Sequence, residues 1–208
     1  MNKDLAVGID IGGTNTKFGI VDRHGIILEQ DRMRTDDFEN AEDFIEALHG
    51  KLRLMMANHG GNDHFKGIGV GAPNGNYYTG TIEYAPNLKW KGIIPVADMM
   101  EKKFGVPTKL TNDANAAAVG EMMYGVAKGM KHFITITLGT GVGSGIVIDG
   151  KIVLGHDGFA GWFCCGHLFF GASWFLPRYF SAASPFLWLF IVGAVYMGAR
   201  KLLPSGPS

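Results

Sequence analysis

Short apolar runs separated by glycine and polar residues open the chain. One run covers Leu5 to Ile11 and stops at two glycines, and another covers Lys17 to Val21 and stops at a polar turn. Runs of this length between turn residues are typical of β-strands. The first 30 residues therefore predict a meander of three strands.

Beyond the meander, the spacing of apolar residues changes to the three- and four-residue repeat of a helix. Apolar residues from Ala41 to Met55 follow it, behind acidic residues within 36–39 that favour a helix start. A helix of roughly twenty residues is predicted, although Gly50 weakens it. The later pattern predicts a strand over 66–71, a turn-rich excursion over 75–88, a helix over 94–104, a strand over 106–110, a small-residue helix over 114–124 and strands from 131 onwards.

Two stretches of the chain repeat each other at offsets of 127 and 126 residues. Gly8 to Thr14 is echoed by Thr135 to Gly141, and the apolar run after each is echoed as well. Each stretch predicts a hairpin whose turn consists of glycine and threonine. The period is too long for a solenoid, so we predict two like domains that face each other.

The composition of the whole chain is that of a globular protein without net charge. Its 208 residues are 47% hydrophobic and 18% charged, with 19 basic and 19 acidic side chains. These values exclude an intrinsically disordered chain and a nucleic-acid binder held by bulk charge. The N-terminus shows no signal-peptide pattern, so we expect a cytoplasmic protein.

The neutrality is a cancellation between unlike segments. Residues 1–161 hold all 19 acids and 16 of the 19 bases, whereas residues 162–208 hold no acid, three bases and 12 of the 24 aromatic residues. We therefore predict a first domain over 1–125, the start of a second domain with the second hairpin over 126–161, and an aberrant hydrophobic tail over 162–208.

The glycine turns of the two predicted hairpins are candidate phosphate sites. Glycine lets backbone N–H groups approach an anion, and threonine adds a hydroxyl donor. Two such tips could hold a polyphosphate from both sides, with Asp10 placed to hold Mg²⁺; for one tip alone, a simple tight turn is the competing interpretation. The candidate residues are Gly12, Gly13 and Thr14 at the first tip, and Gly139, Thr140 and Gly141 at the second.

A carboxylate stands where a predicted strand gives way to the small-residue helix. Asn112 is a candidate N-cap, and Asp113 follows it. In one interpretation Asp113 only favours the positive end of the helix. In the other, it accepts the proton of a hydroxyl that attacks a phosphoryl group.

Together these motifs resemble the ROK family of bacterial sugar kinases over residues 5–161. The segment 10–17 is similar to the family's first phosphate motif, 138–145 to its second, and 111–117 to its catalytic segment. The resemblance implies an α/β fold of the actin, hexokinase and Hsp70 class, which is ribonuclease H-like and duplicated. We expect a complete first domain and a truncated second domain.

The resemblance is strongest to glucokinase-type members, which implies ATP- and Mg²⁺-dependent phosphorylation of glucose at O6, a step of glycolysis. Asp113 would then be the general base, Asn87 and Asn112 would bind the sugar, and Lys17 would join the glycine turns in receiving the phosphates. Another hexose or an N-acetylhexosamine is the alternative substrate, and a homo-oligomer stays open. The family's repressors carry a DNA-binding module ahead of the kinase core, which we do not expect here.

The resemblance is predicted to end inside a motif, after Gly161. The family continues with a Glu-x-Gly-His motif that grips the sugar and with a cysteine cluster that binds structural zinc, and this chain departs from both. Cys164, Cys165 and His167 match no zinc spacing, so we predict that the zinc site is absent. We therefore expect weak or absent turnover, and a catalytically impaired, truncated or frameshifted fragment is the alternative to an active enzyme.

The hydrophobic tail contains an uncharged stretch over 181–199. As a helix it would extend roughly 28 Å, close to the ~30 Å of bilayer hydrocarbon. Three interpretations stand: an out-of-frame or misassembled sequence, a membrane anchor, and a buried core element. The first is favoured because 47 residues without an acid are unusual. The sheet that begins at Lys131 would then keep a bare apolar face and lower the solubility.

Overall fold

The computed structural model describes residues 4–138 and 142–161. Its strands are β1 (Leu5–Ile11), β2 (Asn15–Asp22), β3 (Ile27–Arg34), β4 (Phe65–Ala72), β5 (Gly75–Asn76), β6 (Thr81–Glu83), β7 (Ile93–Ile94), β8 (Thr108–Asn112), β9 (Phe133–Leu138), β10 (Val142–Ile148) and β11 (Lys151–Ile152). Its helices are α1 (Ala41–Asn58), α2 (Val96–Phe104), α3 (Asp113–Tyr124) and a short 3-10 helix, Asn62–His64. The predictions for Gly139, Thr140 and Gly141 and for the whole tail, including Cys164, Cys165, His167 and 181–199, lie outside the described residues.

The predicted meander forms one half of a five-stranded sheet. The strand order is β3-β2-β1-β4-β8, with β1, β2 and β3 antiparallel to one another in turn and with β4 and β8 parallel to β1. This mixed sheet with its helices confirms the predicted α/β class. Because β1, β4 and β8 run in the same direction, their carboxyl ends meet at one edge of the sheet.

The main core lies between this sheet and helices α1 and α2. Buried apolar residues of α1 follow the predicted spacing, among them Phe44, Leu48 and Leu52. Asn40 caps the helix, since its side chain accepts a hydrogen bond from the N–H of Asp43. The predicted long helix is confirmed, with Gly50 inside it.

Helix α2 begins two residues later than the sequence pattern predicts. Ile93 and Ile94 pair with β6 as strand β7, and Pro95 stands between that strand and the helix. A proline disfavours helical backbone at the residue before it, which explains the later start. The predicted end is confirmed, because Gly105 adopts a left-handed φ of 69° and its N–H bonds the carbonyl of Glu101.

The turn-rich excursion contains more structure than predicted. Its residues form β5 and β6, which join β7 in a small three-stranded sheet of order β5-β6-β7. The strand predicted over 106–110 also differs, since β8 begins at Thr108 and continues through Thr111 and Asn112. These two residues pair with Gly71 and Ala72 of β4, and the pairing keeps them in the sheet.

The second predicted hairpin is present as the antiparallel pair β9 and β10, with β11 beside it. Helix α3 lies against this hairpin at very short range. A Cβ at Gly145 would lie 2.4 Å from the Cβ of Ala118, and a Cβ at Gly143 would lie 3.0 Å from that of Ala114. Small residues on both elements therefore permit the contact.

Candidate active site

The two predicted acids converge at the carboxyl edge of the main sheet. Asp10 of β1 pairs with Gly71 of β4, which pairs with Thr111 of β8, so these three residues form one row across the sheet. Asp113 follows β8 directly as the first residue of α3. The strand register thus brings Asp10 and Asp113 to the same edge of the sheet, and their service in one site stays a prediction.

The pKa of Asp10 responds to burial and to two charged groups at this edge, Asp113 and Lys17. Burial first, and then the nearby charge of Asp113, raise the pKa of its carboxyl to about 6, against the opposing effect of Lys17. Lys17 lies directly across from Asp10 in the β1–β2 pair. A cation placed between the two carboxylates would relieve their repulsion.

Asp113 is exposed to solvent yet has protein on most sides. Burial raises the pKa of its carboxyl above the usual value, and a hydrogen bond from the N–H of Ala114 at 2.8 Å opposes that rise. A carboxylate with a raised pKa is a stronger base and remains accessible to a bound hydroxyl. The position and the basicity both suit a general base.

The side chain of Asn112 caps helix α3 and also has, within the described ranges, a free NH₂ group. Its side-chain oxygen caps α3 by accepting a hydrogen bond from the N–H of Asn115 at 2.7 Å, which confirms the predicted N-cap. Its side-chain NH₂ group has no hydrogen-bond partner within the described residues and can donate to a ligand. Asn112 therefore offers its NH₂ donors to a sugar hydroxyl.

The first glycine tip is a tight turn fixed from two sides. The N–H of Gly12 donates to the carbonyl of Asn15 at 3.0 Å, and the N–H of Thr35 donates to the carbonyl of Thr14 at 2.8 Å. The hydroxyls of Thr16 and Thr35 are 2.8 Å apart and buried. Both interpretations of the tip are thus compatible: it is a tight turn, and it exposes Thr14 at the same edge as Asp10.

A loop over 84–92 brings Asn87 to this glycine tip. The loop is closed at its base, where the N–H of Tyr84 donates to the carbonyl of Gly92 at 2.8 Å. A Cβ at Gly13 would lie 2.7 Å from the carbonyl oxygen of Asn87, so the two backbones are in direct contact. The side chain of Asn87 is exposed and makes no hydrogen bond to any described residue, which leaves it available to a ligand.

The donor set at the edge suits Mg²⁺ bound together with phosphates. Kinases hold this ion through one or two carboxylates and the phosphate oxygens. Asp10 supplies one such carboxylate, while Asp113 is the candidate base. In the described ranges no cluster of three or more His, Cys, Asp or Glu side chains could hold a metal without such a ligand.

Several polar residues near the site escaped the sequence analysis. The hydroxyl of Thr111 and the side-chain amide of Asn115 are buried without a hydrogen-bond partner among the described residues. Buried Asn76 donates to Glu83 at 3.0 Å and to the carbonyl of Asp157 at 3.1 Å, which ties the small sheet to the segment after β11. No spacing or motif signals the contact of Asn76 with Asp157, because the two residues lie 81 positions apart in the chain.

In the part of the chain with described coordinates, no helix is long and apolar enough to cross a membrane. The predicted candidate over 181–199 lies outside that part. The membrane interpretation of the tail therefore stays a prediction.

Comparison with known sequences places this geometry in context. The sequence profile of the ROK family matches residues 6–174, 13 residues beyond Gly161. A glucokinase from Streptomyces coelicolor is 37% identical over 165 residues, which cover 79% of this chain and 49% of that protein. A putative xylose repressor from Caldicellulosiruptor is 34% identical over 162 residues, which cover 77% of this chain and 40% of the repressor.

Solved structures give the same relationship. A ROK family glucokinase from Streptomyces griseus, in complex with glucose and AMPPNP, matches with a TM-score of 0.63 and 37% identity over 76% of this chain and 48% of that chain. This similarity to sugar kinases confirms the predicted actin- and hexokinase-like fold class. The chain spans about half the length of the relatives it matches.

Proposed function

The chain belongs to the ROK family, and from that premise we propose that it transfers the γ-phosphate of ATP to a hexose. The observation that carries the proposal is the convergence of Asp10 and Asp113 beside a glycine turn and the Asn87 loop. This arrangement unites a base, a phosphate-binding turn and a sugar-side ligand at one edge of the sheet. The similarity to glucokinases supports the same chemistry.

Asp113 is the proposed general base. It accepts the proton of the attacking hydroxyl while that oxygen forms a bond to the γ-phosphorus and the bond from phosphorus to the ADP oxygen breaks. The proton then leaves Asp113 for solvent, which reaches its carboxylate. Because burial raises the pKa of Asp113, activity should fall as acid protonates this group.

The phosphates are proposed to lie against the first glycine tip. Gly12 and Gly13 let the chain approach them closely, and Thr14 and Lys17 supply a hydroxyl and a positive charge. Mg²⁺, when bound, neutralises charge that develops on the phosphates. Asp10 is the residue proposed to hold that ion, and its raised pKa means that cation binding competes with a proton.

Asn87 and Asn112 are the proposed sugar ligands. Among the described residues, Asn87 has both its amide oxygen and its NH₂ group free, while the amide oxygen of Asn112 already accepts the capping hydrogen bond and its NH₂ group is free. Together the two asparagines can orient a polyol by its hydroxyls, so that one hydroxyl faces Asp113. Glucose is the proposed substrate because two of the three named relatives are glucokinases; another hexose or an N-acetylhexosamine is the alternative.

The test is a coupled assay of ADP release by the full 208-residue chain with glucose, ATP and Mg²⁺. Asp113→Asn should lower turnover by about 100-fold or more, since general-base catalysis contributes on this scale. Asp98→Asn is the matched control, because Asp98 is likewise an exposed acid in the first turn of a helix, α2, but has no proposed role in the site. Turnover of the unsubstituted chain no higher than the Asp113→Asn background would contradict the proposal.

The same assay with a panel of sugars decides the substrate class. We expect glucose to give the highest kcat/KM among glucose, its epimers and the N-acetylhexosamines. A higher value for an N-acetylhexosamine would replace glucose as the substrate and leave the proposed roles of Asp113 and Asp10 intact.

A further inference from the structure

The glycine tip and the Asn87 loop touch each other through Gly13. A Cβ built at Gly13 would lie 2.7 Å from the carbonyl oxygen of Asn87 and 3.1 Å from its Cβ. Both distances are shorter than ordinary van der Waals contact, so any side chain here must displace one of the two segments. At Gly12 a Cβ would instead meet Asn15, a residue of the same hairpin, at 2.7 Å.

The loop over 84–92 has little freedom to move away. Trp90 is buried against Phe44 with ring centroids 4.7 Å apart, and its indole N–H donates to the carbonyl of Phe38 at 3.2 Å. An ion pair joins Lys89 to Glu39. These anchors fix the loop to α1 and to the segment before it, so the tip of the loop holds a defined position over the hairpin.

The hairpin is equally constrained. The contacts of Thr14 and Thr16 with Thr35 fix it to the residue that follows β3. Two anchored pieces of backbone therefore meet at one point, and only a residue without a side chain fits there. The separation of the sugar-side loop from the phosphate-side turn is set at this contact.

We infer that Gly13 is a positioning residue that couples the sugar side of the site to the phosphate side through its backbone contact with Asn87. The inference rests on the proposed function, because it takes Asn87 as a sugar ligand and the turn as a phosphate ligand. A bound sugar that fixes Asn87 then also fixes the turn, and a bound nucleotide does the reverse. The two ligands should consequently bind with positive cooperativity.

The experiment compares Gly13→Ala with Gly12→Ala in the full chain. Amide hydrogen exchange of Tyr84 and Leu88 reports on the loop, since both N–H groups bond within it. Gly13→Ala should raise their exchange rates by about tenfold or more, whereas Gly12→Ala should leave them unchanged. Unchanged protection of α1 in both variants shows that each has folded.

Ligand binding tests the coupling itself. Calorimetric titration with glucose should give a dissociation constant about tenfold weaker for Gly13→Ala, because a misplaced ligand group loses this order of affinity. Saturating AMPPNP with Mg²⁺ should tighten glucose binding to the unsubstituted chain but not to Gly13→Ala. In a double-mutant cycle, Asn87→Ala should weaken glucose binding less in the Gly13→Ala background than in the unsubstituted chain.

The outcomes separate this inference from the proposed function. Loop exchange or glucose affinity unaltered by Gly13→Ala overturns the inference and leaves the proposed kinase intact. Equal effects of Gly13→Ala and Gly12→Ala on the loop overturn it as well. An unsubstituted chain that binds no hexose overturns the proposed function, and the coupling with it.

Discussion

The five-stranded sheet and the β9–β11 sheet differ in how completely their apolar side chains are covered. On the first, β1 is buried along nearly its whole length, and α1 and α2 seal one face. On the second, Ile134 and Ile136 are each 62% exposed and Ile148 is 51% exposed among the described residues. The apolar face predicted to be bare is thus present in the described structure.

The two sheets share helix α3, and this sharing explains where the candidate site lies. Val147 of β10 is buried with Val119 of α3 on one face of the second sheet, and the exposed isoleucines lie on its other face. Asp10, Asp113 and Asn87 all belong to the first sheet, to α3 or to the loop anchored on α1. The edge that carries the candidate site therefore depends on the first sheet and its helices, and the second sheet packs against this region through α3.

The largest difference between the two sheets should be the loss of stability when a buried or an exposed apolar side chain is truncated. Leu48 of α1 is 0% exposed, so Leu48→Ala should lower the free energy of unfolding by about 2–5 kcal/mol. Ile136→Ala on the open face should change it by less than about 1 kcal/mol. Urea denaturation of both variants measures the difference, and equal losses would show that the isoleucine face is covered in solution.

A methyl group at Gly145 should loosen the second region without unfolding the first. Its Cβ would lie 2.4 Å from that of Ala118 and 2.7 Å from the carbonyl oxygen of Ala114, which gives an overpacking cost of about 1–3 kcal/mol. Hydrogen exchange in β9 and β10 should rise while β1 stays protected.

Gly50→Ala is the matched control for this substitution. No atom lies within 4 Å of a Cβ at Gly50 in α1, and alanine should stabilise that helix by about 0.5–1 kcal/mol. Destabilisation by Gly50→Ala, or protection of β9 unaltered by Gly145→Ala, would contradict the assigned packing.

Asp10 of β1 should make the stability of the five-stranded sheet depend on pH. Its pKa of about 6 in the folded chain lies above the ordinary value of 3.8, so the folded state binds the proton more tightly than the unfolded state. The free energy of unfolding should therefore fall as pH rises from about 4 to 6, and it should stay lower above that range.

Asp10→Asn should remove this pH dependence and raise the free energy of unfolding at pH 7 by about 1–2 kcal/mol. Phosphoryl transfer should be lost at the same time, because the proposed ligand of the metal is gone. Asp98→Asn, at an exposed position, should alter neither property. A stability profile of Asp10→Asn parallel to that of the unsubstituted chain would refute the assigned titration.

The sequence predicts much of the covered region because local patterns determine it. The apolar repeat of α1, the glycine stop at Gly105 and the turn at Gly12 each act over a few residues, and the structure contains all three. Pro95 shows the limit of such patterns. The apolar repeat includes Ile94, but pairing of β7 with β6 takes that residue into a sheet.

The site is less predictable, because its key contacts join distant segments. The resemblance nominates Asn87 and Gly13 separately, and only the folded chain shows them in contact. The raised pKa of Asp10 likewise depends on burial and on Asp113, 103 residues later in the chain. Such terms arise from tertiary packing, which propensity and periodicity do not encode.

Substitutions on the open isoleucine face of the second sheet should have the smallest effect on stability and a clear effect on self-association. Ile134→Lys with Ile136→Lys places two charges on an exposed apolar sheet, where they oppose contacts between molecules. The free energy of unfolding should change by less than about 1 kcal/mol, while light scattering at high protein concentration should decrease. Leu54→Lys is the matched control, because Leu54 is also 62% exposed but lies singly on α1. Self-association reduced as much by Leu54→Lys would show that general surface charge, and not the open face of the second sheet, governs solubility.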